Sequence, residues 1–157
     1  MRLAGTGVSG SGRSSVTEWV VAFLVVLLPA DYQQIRLGVE TREGLIPGME
    51  VRETQAHWKG QDKDIFLFLY EPFPDRDGGP MAIRQSYPVT VLGQQTKLIE
   101  TSMFFGSEQQ VFVTHVSLEE PKAVLMIYSP NLEREEFTTL VTSLKRRPTV
   151  EAPETLY

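Results

Sequence analysis

The segment "IFLFLY", residues Ile65 to Tyr70, decides the fold of this chain. It is apolar on both of the faces that a β-strand presents. A run of this kind is typical of a strand in the middle of a sheet, covered on its two sides. We therefore expect a β-sheet at the centre of the chain, with Ile65–Tyr70 as a central strand.

The segment before it, "MEVRETQAHW", alternates with period two. Val51, Glu53, Gln55 and His57 share one face. The other face carries Arg52, Thr54, Ala56 and Trp58. The Gly- and Asp-rich "KGQDKD" follows and predicts a turn. This segment is therefore expected to pair with the central strand.

Four more strands are predicted downstream, in "VTVLG", "TKLIETSMFF", "QVFVTHVSL" and "AVLMIY". They are connected by "QQ", "GSEQ" and "EEPK", which are lengths typical of β-hairpins. These strands are expected to form an antiparallel meander, so that the curled sheet has about six strands in all.

A helix is predicted in "SPNLEREEFTTLVTSLKRRP". Ser129 is a candidate N-cap with Pro130 at the first helical position, and Lys145 to Arg147 suit the negative end. One helical stripe holds the apolar residues Leu132, Phe137, Leu140, Val141 and Leu144. We expect this helix to pack on one face of the sheet.

The amino-terminal segment "TEWVVAFLVVLLPADYQQ" can be interpreted in two ways. Ten apolar residues, Trp19 to Leu28, fit the apolar part of a signal peptide, although Glu18 stands where positive charge is expected. Alternatively, Ser15 and Glu18 have the spacing of a capping box, which predicts an apolar helix buried in the core. Either way, a helix or a signal segment is expected here.

The fold class expected from these patterns is α+β. Residues 1–30 are expected to form a signal-like or membrane-associating segment, residues 31–148 a single domain, and residues 149–157 a polar tail. At 157 residues, one domain is the usual organisation.

Composition excludes several classes of protein. The chain has no cysteine, which removes disulfides, iron–sulfur sites and thiol nucleophiles. Its 20 acidic and 15 basic residues give a net charge of −5. A negative chain does not bind nucleic acid through bulk electrostatics, so no nucleic-acid partner is expected.

No cofactor is expected. "GTGVSG", Gly5 to Gly10, matches a dinucleotide-binding fingerprint, and the overlapping "GVSGSGRS" resembles a phosphate-binding loop. Such a loop must leave a buried strand, and only "MRLA" precedes Gly5. We interpret both matches as products of a Gly- and Ser-rich composition.

The run from Val89 to Arg147 resembles the PsbP-like fold group, which includes the extrinsic photosystem subunit, DcrB-like bacterial proteins and a eukaryotic Ran-binding factor. The resemblance lies in "VTVLGQQTKLIET", in two hairpins ending in "AVLMIYSP", and in the helix "FTTLVTSLK". It implies an α/β sandwich without enzymatic activity. Members of the group dock on larger assemblies, chaperone apolar segments or hold lipid-like ligands.

The long loop "EPFPDRDGGPMAIRQSY" is the best candidate for a binding site in the sequence. Aromatic and apolar side chains flank it or lie within it, and we select Tyr70, Phe73, Met81 and Tyr87 as a contact surface. Long loops in compact domains are often functional, and exposed apolar patches mark binding sites. "DRDGG" within the loop is interpreted as a turn, since it lacks the later ligands of a calcium loop.

His57 and His115 are the only histidines and the candidates for catalysis or metal binding. His115 shares a strand face with Ser117, and His57 shares one with Glu53. A metal site would require their two strands to pair. Neither histidine has the spacing of a known catalytic or metal motif, so no metal site is expected.

Three functions remain open. The first is a non-enzymatic binding or accessory domain, exported or membrane-associated (periplasmic in a bacterium), with possible attachment through residues 16–30. It would contact a protein partner or a lipid-like ligand. The alternatives are a cytoplasmic chaperone or adaptor, with residues 15–30 as a core helix, and a small hydrolase using His57 or His115.

Overall fold

The computed structural model describes residues 7–9, 15–44, 46–74, 83–102 and 110–148. Most of these residues form β-strands, and one helix lies near the carboxyl end of the chain. The strands are β1 (Gly7–Ser9), β2 (Ser15–Val21), β3 (Leu24–Pro29), β4 (Gln33–Glu43), β5 (Glu50–Lys59), β6 (Asp64–Glu71), β7 (Ile83–Val91), β8 (Gln94–Ser102), β9 (Gln110–Glu119), β10 (Lys122–Ser129) and β11 (Lys145–Arg146). The helix is α1 (Arg134–Thr142).

The larger of two sheets has seven antiparallel strands in the order β4-β5-β6-β10-β9-β8-β7. Strands β4 to β6 form one meander and β7 to β10 form a second. The two meanders are joined where β6 pairs with β10, with Leu67 opposite Ile127 and Phe66 opposite Tyr128. The antiparallel, sheet-rich architecture predicted from the sequence is confirmed, and Ile65–Tyr70 lies within the central part of the sheet.

The hairpin between β7 and β8 turns at Leu92 and Gly93, whose φ angles are +52° and +80°. Two successive left-handed residues suit the type I′ turn that connects antiparallel strands. The prediction placed this turn at "QQ", Gln94 and Gln95, which instead begin β8. The turn lies earlier because glycine adopts a positive φ without steric cost.

The smaller sheet has the order β1-β2-β3-β11 and contains the amino-terminal apolar run. Strands β2 and β3 form an antiparallel hairpin in which Trp19 lies opposite Val26. Burial alternates along both strands. The buried apolar members are Trp19, Val21, Leu24, Val26 and Leu28.

The expected amino-terminal helix is therefore wrong, because this segment forms strands β2 and β3. The alternative of a signal segment stays a prediction. A run that is apolar at every position carries no period, so helix and strand cannot be separated by pattern alone. Its four valines between Val20 and Val26 favour a strand, because branching at Cβ restricts the side chain in a helix.

Helix α1 is shorter than predicted and begins later. Its N-cap is Glu133, which forms a capping box with Glu136. The Ser129 hydroxyl instead accepts the backbone N–H of Leu132 at 3.0 Å, in the turn before the helix. The basic residues Lys145 and Arg146 form β11, which pairs with β3. All five apolar residues of the predicted stripe are buried, including Phe137 at 0% exposure.

One core joins the two sheets and the helix. Its buried side chains come from β2 and β3, from alternate positions of β5, β6, β8, β9 and β10, and from α1. We call the face of the large sheet that contributes to this core the inner face, and the opposite one the outer face. The α+β class with a six-stranded sheet is wrong: the described residues form two sheets, and the single helix covers only part of the inner face.

The place of the β2–β3 hairpin in the core can be tested with a matched pair of substitutions. Val26 is fully buried and its neighbour Val25 is partly exposed on the other side of the strand. We expect Val26→Thr to lower the free energy of unfolding by about 1–3 kcal/mol, because it buries a hydroxyl in an apolar core. Val25→Thr is expected to change it by less than about 0.5 kcal/mol. Urea denaturation measures both, and equal losses would contradict the assignment.

Candidate binding face

The two faces of the large sheet are covered to very different extents. On β6, the inner-face residues Ile65, Leu67 and Leu69 are at most 2% exposed. The outer-face residues of the same strand, Phe66 and Phe68, are only half-buried. The sequence predicted cover on both sides of this strand. The small sheet and the helix supply it on the inner face alone, which leaves large aromatic side chains in contact with solvent.

These side chains belong to a continuous aromatic row, which we define as His57, Phe66, Tyr128, Phe68 and Tyr70. The ring centroids of His57 and Phe66 are 4.1 Å apart, and those of Phe66 and Tyr128 are 4.8 Å apart. Tyr128 and Phe68 are 6.2 Å apart, and Phe68 and Tyr70 are 6.4 Å apart. Interplanar angles along the row range from 3° to 20°.

Strand register assembles the row. His57 lies opposite Phe66, and Phe66 lies opposite Tyr128, so three neighbouring strands place one ring each on a single line. Phe68 and Tyr70 follow at spacings of two along β6, which keeps them on the same face. Rings at such distances and near-parallel angles stabilise one another in offset stacks.

At the centre of the row, Phe66 offers its ring edge rather than its ring faces. Because neighbouring rings stack, the faces of Phe66 are occupied by His57 on one side and Tyr128 on the other. A nucleobase or a sugar that binds by flat stacking needs a free ring face. Burial raises the pKa of the Tyr128 hydroxyl above its ordinary value of 10.0, so this group stays a neutral hydrogen-bonding group at physiological pH.

The His57 end of the row is held by a polar cluster. His57 Nε2 lies 2.9 Å from Asp64 Oδ1, and the Asn131 side-chain amide donates to Asp64 Oδ2 at 3.3 Å. Asn131 also accepts the backbone N–H of Asp64 at 2.8 Å. Burial acts to raise the pKa of Asp64, but the hydrogen bonds from His57 and Asn131, with the positive charge of Lys59, outweigh it and lower the pKa below 3.8.

The Tyr70 end of the row is bounded by a buried carboxylate. Glu53, opposite Tyr70, is 4% exposed. It pairs with the guanidinium of Arg42 and accepts the Gln55 side-chain amide at 2.5 Å. Arg42 also reaches the exposed Glu40 at 2.8 Å. The aromatic row is thus flanked at each end by both positively and negatively charged groups.

Strand β10 widens the apolar surface beside the row. Val124 and Met126 are half-buried on the outer face and lie opposite Tyr70 and Phe68. Val113 of β9 lies opposite Tyr128 and is 7% exposed. The outer face therefore combines the aromatic row with the half-buried Val124 and Met126, and charged groups lie at its rim.

The four residues predicted from the long loop lie in different places. Tyr70 belongs to the aromatic row, and Phe73 is half-buried just after β6. Tyr87 lies on β7 on the inner face, where the Arg134 guanidinium sits 4.5 Å from its ring centroid. Met81 lies outside the described residues. Tyr70 and Tyr87 are on opposite faces, with β10, β9 and β8 between their strands.

Sequence reasoning missed Phe66, Phe68 and Tyr128 as members of one surface. Phe66, Phe68 and Tyr70 recur at a spacing of two, which was visible in the sequence. What the sequence lacked was the pairing of β6 with β10, which brings Tyr128 beside Phe66.

The two histidines do not meet in the fold. Strands β5 and β9 are separated by β6 and β10, and His115 is exposed opposite Met126. The acid that contacts His57 is Asp64. The nearby Ser129 hydroxyl donates to the backbone carbonyl of Asp64 at 2.7 Å. In the described part of the chain, no three His, Asp or Glu side chains cluster closely enough to hold a metal.

A shallow depression of about 440 Å³ lies near the start of β4. It is lined by Asp31, Gln33, Ile35, Lys59, Gly60 and Gln61. All of these except Gly60 are exposed, so a small molecule there would stay largely in water. Small-molecule sites usually bury most of their ligand, and this depression does not provide such cover.

Comparison of the chain with known protein families, with curated proteins and with solved structures found no match. The resemblance to the PsbP-like group stays a prediction. No helix among the described residues is long and apolar enough to cross a membrane.

The polar cluster at the His57 end predicts a pH-dependent stability. The lowered pKa of Asp64 means that its contribution is present above about pH 4 and is lost as the pH falls through the folded-state pKa. We expect Asp64→Asn to lower the free energy of unfolding by about 1–2 kcal/mol at pH 7. The difference from the unsubstituted protein should shrink in acid. Asp62→Asn, at an exposed position in the preceding turn, is the control.

Proposed function

We propose that this protein is a non-enzymatic binding domain whose outer sheet face receives a protein partner, with the aromatic row as the anchor. The observation that carries the proposal is that five rings form an ordered row on a sheet face while remaining partly open to solvent. Contiguous apolar surface on a soluble domain marks a site of interaction.

The composition of the face favours a protein over other ligands. Protein interfaces are enriched in tyrosine, phenylalanine and methionine at the centre and have a polar rim. The outer face has this arrangement, with Phe68 and Met126 at its centre and Arg42 and Asp64 towards its ends. Nucleic acid is disfavoured by the net charge of −5 and by the occupied ring faces of Phe66.

The order of the row also favours binding. Each ring is restrained by its neighbours, and His57 is further held by Asp64. Side chains that are already ordered lose less conformational entropy when a partner binds. A partner would therefore gain the burial of large aromatic groups at a low entropic cost.

Site-specific photocrosslinking in the native host tests the proposal. A photoreactive phenylalanine analogue replaces Phe68, and a control analogue replaces Thr139, which is exposed on α1. We expect the Phe68 position to form an adduct with a distinct protein and the Thr139 position to form none with that protein. An adduct with the mass of a lipid would support the lipid-like ligand instead. The absence of any adduct specific to the Phe68 position would contradict the proposal.

The partner identified in this way is then titrated against purified variants. Tyr128→Ala and Phe66→Ala are expected to weaken binding about tenfold or more, because truncation of a central aromatic residue costs over about 1.4 kcal/mol. Ile83→Ala, at a 58% exposed position on the edge strand β7, away from the row, should leave the affinity unchanged. Equal losses for all three variants would mean that the partner does not bind through the row.

Residues 15–30 are proposed to remain in the functional protein, wherever it is located. They supply both strands of the central hairpin of the small sheet and five buried core residues. A chain beginning at Asp31 would lack β2 and β3 and would expose the inner face beneath them. Intact-mass measurement of the protein from its native host should give a species that includes Ser15, and a species starting at Asp31 would contradict this.

A further inference from the structure

The two edges of the large sheet differ in how they are protected. Strand β7 forms one edge and contains Pro88, which has no N–H to offer to another strand. Among the strands that the structure describes, β4 forms the other edge. It has eleven residues and no proline, and it leaves Leu37 and Val39 exposed at 42% and 54%. An open edge of this length and character is a template for pairing with a further strand.

The apolar residues of β4 lie beyond the reach of the core. Leu37 is opposite Ala56 and Val39 is opposite Thr54, so both point to the inner side of the sheet. Ala56 is 2% exposed, whereas Leu37 one strand further out is 42% exposed. The cover supplied by the small sheet and the helix thus ends at β5, and the inner side of β4 stays in contact with water.

We propose that β4 pairs with β4 of a second copy of this chain, antiparallel about a two-fold axis at Gly38. A two-fold axis perpendicular to the sheet keeps the outer faces of both copies on the same side. Each outer-face residue of β4 must therefore oppose an outer-face residue of the second copy, and each inner-face residue an inner-face residue. Centred on Gly38, the register places Arg36 opposite Glu40 of the second copy and Leu37 opposite Val39. Each of these pairs occurs twice, once on either side of the axis.

Neighbouring registers are less favourable. Centred on Val39, the pairing would set Arg36 against Arg42, and like charges directly opposite are destabilising. Centred on Glu40, it would set two carboxylates against each other. Centred on Leu37, the pairing would set Arg36 opposite Gly38, so neither Arg36 nor Glu40 would face an opposite charge. Only the Gly38 register among these four satisfies the charged pair and the apolar pair together.

The side chains that would meet in this register are accessible to a second copy. Arg36 and Glu40 are both exposed on the outer face, and the contact of Glu40 with Arg42 is an exposed ion pair of little energetic value. Gly38 has open space around it, with no atom within 4 Å of a Cβ built at this position. Two copies could therefore approach at Gly38 without steric conflict from their own chains.

The paired sheets would be continuous and would carry their aromatic rows on the same face. This assignment does not depend on the proposed function, because it rests on β4 alone. If both hold, the dimer would present two rows related by the two-fold axis, and a partner with two equivalent segments would bind with increased avidity.

A charge-swap cycle tests the register. Sedimentation equilibrium of the full chain is expected to show a dimer. Arg36→Glu alone and Glu40→Arg alone should each raise the dimer dissociation constant about tenfold, because each creates two like-charge contacts across the axis. The double variant, R36E with E40R, should restore dimerisation because opposite charges meet again. A monomer for the unsubstituted chain, or a double variant weaker than either single one, overturns the proposal.

Single cysteines give an independent readout, since the chain has none of its own. Opposed residues of an antiparallel pair have Cα atoms about 4.5–5.5 Å apart, within the range that a disulfide spans. Gly38→Cys should form a disulfide-linked dimer under mild oxidation. Thr41→Cys, exposed on the same strand but three residues away from the axis, should not. Crosslinking through Leu37→Cys but not Gly38→Cys would place the axis elsewhere and contradict the assignment.

Discussion

The pairing of β6 with β10 is the constraint on which the rest of the structure depends. It joins two meanders into one sheet, and its register sets Leu67 beside Ile127 on the inner face. The same register sets Phe66 beside Tyr128 on the outer face. Because side chains alternate along a strand, a slip of one residue would carry the leucines into solvent and the phenylalanines into the core. The core and the aromatic row are therefore two results of one pairing.

The outer face is stable in spite of its partial exposure because its rings protect one another. Stacked pairs such as Phe66 and Tyr128 contribute about 0.5–1.5 kcal/mol beyond the area they bury. The polar groups at each end, Asp64 with Asn131 and Glu53 with Arg42, hold the strands that carry the rings. An ordered apolar surface that is not part of the core is the property that a binding face requires, and it can exist before any partner arrives.

The helix and the hairpin illustrate where local patterns succeed and where they fail. The stripe through Phe137, Leu140 and Val141 was readable because apolar residues that recur with a period of 3.6 indicate one face of a helix, and all three are buried. The start of the helix was misplaced because Ser129 and Glu133 both have capping chemistry, and the hydrogen bonds to Asp64 and Leu132 draw Ser129 into the preceding turn. The apolar run from Trp19 to Leu28 had no period to read, so its partner strands decided its structure.

The sequence by itself determined the local character of this protein: alternating strands around Ile65–Tyr70, one amphipathic helix, a negative charge and no cysteine. The tertiary structure alone decided which strands are neighbours, that the amino-terminal run lines the core, and that Tyr128 stands beside Phe66. The physical reason is that periodicity is a property of adjacent residues. Pairing between distant strands depends instead on which combination of faces excludes the most water, and that is settled only when the whole chain has packed.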